Sequence, residues 1–253
     1  MQRLVVVLVL VLLPSICAAQ QRIEVWNYHF SPPFILDDGQ GLSHAFVDLL
    51  NRDPANRGRF RFELVELPRK RVDVRLARNR PGILLWATPS FFTAAQTANA
   101  KWSEPLLIDQ QVFVSLPATP FEYDGPSSLH GLVLGGVLGH RYEGLEEDVA
   151  KGAIERQNVH SDLQNIQKLL SGRINTLLIA QSTLLYYRQE HKLDDLYTSQ
   201  EPLYQFARHV LMTDTLNGAA TDFLDEFFGA LPDNPEWQVL LFHYGLKPIA
   251  SEP

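Results

Sequence analysis

The chain has 253 residues, 45% hydrophobic and 20% charged, with a formal net charge of −7. This composition suits one or two globular domains with a real core. It excludes a disordered chain, a collagen and a disulfide-stapled small scaffold, and the negative balance argues against a dedicated nucleic-acid binder.

In chain order, residues 1–19 read as a secretory signal peptide. Arg3 supplies the positive start and Leu4 to Leu13 an unbroken apolar run. Pro14 and Ser15 break that run, and Cys17-Ala18-Ala19 is a small-x-small cleavage site. The run is too short to span a bilayer, which needs ~20 apolar residues. Pro14 and Ile16 stand where a lipid-attachment box wants Leu and a small residue. The expected product starts at Gln20, keeps no cysteine and is exported.

The mature sequence alternates strand-like and helix-like segments. Strand Arg22–Tyr28 precedes a helix from Ser43 to Arg52, whose stripe is Phe46, Leu49 and Leu50. Strand Phe60–Leu67 precedes a helix opened by Pro68 and reaching Ala77. Ile83–Trp86 is a short apolar run, as in a strand covered on both faces. This order implies a largely parallel sheet with helices on both sides.

The pattern then starts again. A long strand covers Leu106–Leu116, and a Gly-interrupted one covers Leu132–Leu138. Tyr142–Arg156 is expected to be helical, Val159 to lie in a short strand, and Asp162 to cap a helix through Leu170. Strand Ile174–Ile179, helix Ala180–His191 and the long strand Tyr204–Thr213 follow, then helices Leu216–Leu231 and Pro235–Tyr244. Two long strands thus bracket a block of about ninety residues, enough for one small lobe. The simplest topology inserts that lobe into a discontinuous first one, with two chain crossings.

Enzyme motifs are missing. There is neither a G-x-S-x-G elbow nor a G-x-x-x-x-G-K phosphate loop. No His pair has H-x-x-x-H spacing, so no metal and no cofactor is expected. Gly135-Gly136-Val137-Leu138-Gly139 resembles a strand-to-helix glycine loop, with His140, Arg141 and Tyr142 opening a helix. Free N–H groups there would favour an anion, and Arg141 could grip a carboxylate. Tyr28, Phe30 and Phe34 follow the first strand, while Trp86, Phe91 and Phe92 follow the third. Ligands bind beyond the carboxyl ends of strands in open α/β sheets, and an aromatic wall suits a small organic molecule. From Arg57 to Arg80 there are nine Lys or Arg and three Asp or Glu, which read as a solvated face or a docking surface for an acidic partner.

The sequence resembles the bacterial extracellular solute-binding proteins of family 3, the receptors of ATP-binding-cassette (ABC) uptake systems. Ile23-Glu24-Val25, Ser31-Pro32-Pro33-Phe34-Ile35 and Asp37-Asp38-Gly39 are similar to the family's opening strand, "PPF" and acidic turn. Gly41 with Val47-Asp48-Leu49-Leu50 resembles its first helix. Thr88-Pro89 and Trp102-Ser103-Glu104-Pro105-Leu106 resemble "T-x-x-R … F-S-x-P-Y". Leu129-His130-Gly131, Gly135 to Gly139, Gly172-Arg173-Ile174-Asn175 and Tyr244-Gly245 continue the series. The order of these motifs over ~220 residues carries the resemblance.

The resemblance implies an α/β fold of the bilobal, periplasmic-binding-protein-like kind (type II), two α/β lobes joined by two crossing strands. Residues 20–115 and 206–253 would form lobe 1 and residues 116–205 lobe 2. The product would be a periplasmic monomer and not an enzyme. It would capture a small-molecule ligand for an ABC permease and bind no nucleic acid. Alternatives are a sensor that reports to a membrane receptor, through the basic Arg69 to Arg80 region, and a dehydratase-like enzyme with Glu104 or Asp109 as acid or base.

Two departures bear on the ligand. Where the family usually grips an α-carboxylate with Arg, this chain has Ser90-Phe91-Phe92-Thr93. The family Asp that often faces the α-ammonium is Asn175. An ordinary α-amino acid is therefore not expected. The expected site is Tyr28, Phe30, Phe34, Trp86, Thr88 and Phe91 from lobe 1, facing Gly139, His140, Arg141 and Tyr142 from lobe 2, around an anionic or aromatic metabolite.

Overall fold

A computed structural model describes residues 20–249; the expected signal peptide lies outside them. The first half of the sheet is built from β1 (Gln21–Asn27), β2 (Phe60–Glu66) and β3 (Ile83–Ala87), all parallel. Helix α1 (Leu42–Arg52) connects β1 to β2, and α2 (Arg69–Ala77) connects β2 to β3. The short α3 (Ala94–Thr97) and β4 (Ala100–Trp102) lead into β5 (Leu107–Ser115). The second half holds β6 (Val133–Val137), α4 (Glu146–Ala150), β7 (Glu155–Val159), α5 (Asp162–Leu170), β8 (Thr176–Ala180), α6 (Gln181–His191) and β9 (Tyr197–Thr198). The chain then returns through β10 (Tyr204–Thr213) and ends in α7 (Gly218–Ala230) and α8 (Pro235–His243).

The strand order is β2-β1-β3-β10-β5-β8-β6-β7. Strand β10 joins the halves. Its first residues, Tyr204 to Arg208, pair antiparallel with β5, and His209 to Thr213 pair with β3 and β4. Beyond β10, Gln111 to Ser115 of β5 continue onto β8.

Each half carries apolar clusters on both faces, as parallel strands require. Leu42, Phe46, Val47, Leu49 and Leu50 of α1 share the first cluster with Ile23, Val25, Phe60 and Phe62. That cluster also takes Phe223, Leu224 and Phe227 of α7 and Trp237 and Leu241 of α8. On the opposite face Val72 and Leu76 of α2 cover Trp26, Leu84 and Leu211. In the second half, Ile166 and Leu169 of α5 and Leu184 of α6 cover one face, while Phe113, Phe121, Tyr142, Leu145 and Ile154 fill the other.

One expected feature is corrected, and one strand is irregular. The helix read over Tyr142–Arg156 is only the five residues of α4, and β7 already starts at Glu155. Tyr142 and Leu145 are buried because a turn, not a helix, tucks them under the sheet. The side chains of β3 also break alternation. Ile83 and Leu85 face the α1 side, Leu84 and Ala87 the α2 side, yet Trp86 faces the α1 side as well. Its backbone is left-handed, φ 57°, which is rare for a bulky residue and flips the side chain to its neighbour's face. The β3–β10 pairing shifts register opposite this point, between His209 and Leu211.

Candidate functional site

The carboxyl ends of β1 and β3 face the loop after β6 and the start of α5. Ser31, four residues past β1, donates its hydroxyl to Oδ2 of Asp162 at 2.8 Å. Asp162 is the first residue of α5 and 5% exposed; Ser161 caps that helix by accepting from the Gln164 N–H. This hydrogen bond links two segments 131 positions apart, across the gap between the sheet halves.

Around it stand aromatic rings and histidines. The His29 ring lies 4.1 Å from Tyr28 and 5.6 Å from Phe34, centroid to centroid. Its Nε2 is 3.1 Å from the Trp86 carbonyl, an acceptor that fixes the proton on Nε2. The left-handed turn at Trp86 aims that carbonyl. Burial, then the nearby Arg208 cation, holds His29 well below the usual histidine value. His140, from the opposite half, is lowered by burial against the pull of Asp162. Asp162 is raised by burial, opposed by the Ser31 hydroxyl and by His140. The Tyr28 hydroxyl is buried without a hydrogen-bond partner.

The floor comes from the two crossing strands. Arg208 of β10 places Nε and Nη2 on Asp109 of β5 and lies 4.5 Å over Phe34 and 4.9 Å over Phe206. Asp109 also accepts from the Ser182 backbone N–H at 3.1 Å and hydroxyl at 2.7 Å. Phe91 packs on Tyr204 and Phe206 at 6.3 and 5.5 Å. At the side, Arg69 stacks 3.9 Å over Phe92 and 5.3 Å from Tyr28. It is held by Asp73 at 2.9 Å and the Phe91 carbonyl at 2.7 Å.

Of the residues expected from the sequence, Tyr28, Phe91 and His140 come together here, and Phe34 touches Arg208 from the core side. Trp86, Thr88, Tyr142, Arg141 and the Gly139 turn do not join them as read. The Trp86 ring is fully buried, stacked on Trp237 and donating to the Ser43 hydroxyl at 2.8 Å. Thr88 is buried and bonds the Ala207 carbonyl. Tyr142 is buried, its hydroxyl taken by the Val137 N–H. Phe30 is 51% exposed. Arg141 is 89% exposed beside Glu146, and since no helix starts at Gly139, the expected row of free N–H donors is not formed. Asn175 sits at the opposite end of its strand and accepts from the Val133 N–H. Its identity therefore says nothing about a ligand ammonium. Of the two candidate acids, Asp109 is locked onto Arg208 and Ser182, and Glu104 is exposed.

The sequence reading missed His29, Ser31, Arg208 and Asp162 as site residues. One signal was available: Asp109 and Arg208 are opposite charges set inside the two longest strands, where an unpaired buried charge is costly. Among the described residues no cluster of His, Cys, Asp and Glu fits a metal ion, and no helix is long and apolar enough to cross a membrane.

No protein-family model and no curated protein sequence matches the chain. Solved structures do. An ancestral arginine-binding protein bound to arginine superposes with a TM-score of 0.67 at 12% identity, covering 89% of this chain and 98% of that one. The GluR0 ligand-binding core from Nostoc punctiforme, in complex with glutamate, gives 0.64 at 14% identity over 88% and 98%. The chain has the bilobal periplasmic-binding-protein fold. A third protein of that fold, the ancestral amino-acid-binding protein AncCDT-1, described as a precursor of cyclohexadienyl dehydratase, gives 0.64 at 12% identity over 88% and 95%. In a bilobal fold of this kind the gap bridged by Ser31 and Asp162 lies between the two halves of the sheet.

Proposed function

We propose that the chain is a divergent extracellular solute-binding protein of the family 3 kind, periplasmic, which captures a small organic solute between its lobes for ABC-type uptake. Lobe 1 is residues 20–115 and 206–253, lobe 2 is residues 116–205, and β5 and β10 form the crossing. The observation that carries this reading is the Ser31–Asp162 hydrogen bond, which ties the two walls of the cleft together. A ligand touching both walls selects the closed arrangement, and hinge closure needs no catalysis. Signalling to a membrane receptor is a second reading of the same capture step. It is favoured by Lys70, Arg71, Arg78 and Arg80, exposed on and just after α2 without ion-pair partners among the described residues.

A thermal-shift screen of the chain from residue 20 against a metabolite library tests capture, because a cleft ligand stabilises by mass action. The expected result is a compound whose shift disappears when Tyr28 and Phe91 are replaced by Ala. Absence of any such compound overturns the reading. Uptake of the identified compound by cells, with and without the gene, separates transport from signalling.

A further inference from the structure

The charges in the cleft are unevenly used. Arg69 is paired with Asp73 and the Phe91 carbonyl, its flat face on Phe92. Arg208 spends Nε and Nη2 on Asp109. Arg156 gives Nη2 to the Val137 and His140 carbonyls and lies 4.4 Å over Tyr142. Arg69 and Arg208 are thus each paired with a carboxylate of the protein itself, while Arg156 is held by carbonyls alone and its buried Nε has no partner. Asp162 is different. It is 5% exposed, its side chain accepts one neutral hydroxyl from Ser31, and among the described residues no Lys or Arg pairs with it. The dipole at the start of α5 offsets only part of its charge. A buried carboxylate without a cation is an unstable arrangement in a low-dielectric site.

We propose that the cleft selects a small organic cation lacking a carboxylate, with Asp162 as its counter-charge and ring faces of Tyr28, Phe91 and Tyr204 around its alkyl groups. This rests on the solute-capture reading above. Aromatic faces attract ammonium groups, most strongly when water is excluded. A ligand carboxylate is repelled by Asp162 and finds Arg69 and Arg208 already paired with Asp73 and Asp109, so zwitterions and anions are disfavoured. Burial holds the neighbouring His29 and His140 below the usual histidine value, His140 against the pull of Asp162.

Calorimetry on the chain from residue 20 decides, with four probes of similar size: tetramethylammonium, butylammonium, butyrate and the zwitterion 2-aminobutyrate. The expected result is binding of one or both ammonium ions, with butyrate and 2-aminobutyrate at least tenfold weaker. Asp162→Asn is expected to weaken the cation at least tenfold. A thermal melt of Asp162→Asn that matches the wild type guards against a folding defect, and Ser31→Ala, which leaves the carboxylate in place, is expected to weaken binding while still ranking cations above anions. Tighter binding of the anion or zwitterion overturns the charge inference and leaves solute capture standing. Failure of both cations at millimolar concentration overturns it as well, while the metabolite screen still judges capture on its own.

Discussion

Arg208 sets Nε and Nη2 on a single oxygen, Oδ2 of Asp109, at 2.8 and 2.7 Å, with the two side chains 4% and 2% exposed. The pair ties β10 to β5 where the chain crosses between sheet halves, and Ser182 anchors the start of α6 to the same carboxylate. The joint between the sheet halves is therefore charged and hydrogen-bonded rather than apolar.

Breaking that pair from one side leaves a buried, uncompensated charge, which costs about 3–5 kcal/mol. Asp109→Ala is expected to lower stability by that amount in urea unfolding. The double variant Asp109→Leu with Arg208→Met is expected to recover part of the loss, because it removes both desolvated charges. A double variant no more stable than Asp109→Ala would show that the charges themselves hold the joint.

Trp86 was read from its place after the third strand as a cleft aromatic, and it is a core residue. Its ring contacts Phe34, Phe46 and Trp237, so Trp86→Ala is expected to cost about 3–5 kcal/mol of stability through the cavity. The measurement is a denaturation midpoint at unchanged slope.

Gly135 and Gly136 let other side chains cross β6. A Cβ on Gly135 would meet Ile174 Cδ1 at 2.5 Å and Asn165 Oδ1 at 2.8 Å. Gly135→Ala is thus expected to destabilise by about 1–3 kcal/mol through overpacking. Arg141→Ala, by contrast, removes a side chain that is 89% exposed, and substitutions of that kind usually stay within about 0.5 kcal/mol. Equal thermal shifts for the two variants would contradict these placements.

The fold was legible because its signals are local and repeated. Apolar stripes on α1 and α5, alternation in β2 and the all-apolar β3 each name an element, and their order names the architecture. The site was less legible because it depends on where backbones turn. Nothing in the letters around Trp86 announces a left-handed residue, and that one torsion moves the indole into the core and its carbonyl to His29. Similarly, Gly139 and Arg141 look like a helix entrance, but the helix opens only at Glu146. Asn175 was read by motif alignment, whereas its role follows from lying at the wrong end of its strand. Ser31 and Asp162 meet only through tertiary structure.

The last prediction concerns pH. His29 donates from Nε2 to the Trp86 carbonyl and is held well below its ordinary 6.5, first by burial and then by Arg208. In the unfolded chain it titrates near 6.5. As the pH drops below that value the unfolded state takes up a proton that the folded state refuses, so stability falls with acidification until the folded His29 itself titrates. The slope approaches about 1.4 kcal/mol per pH unit for one group. His140, also lowered, adds in the same sense. Asp162 acts oppositely: its raised value makes the folded state bind the extra proton, so its contribution is present below the unfolded 3.8 and is lost as pH rises through the folded value. The difference between wild type and His29→Gln isolates the first effect, since Gln keeps an N–H donor but does not titrate. Urea unfolding between pH 7.5 and 5 should show a shallower loss in the variant; an identical slope would mean that His29 titrates alike in the folded and unfolded chain.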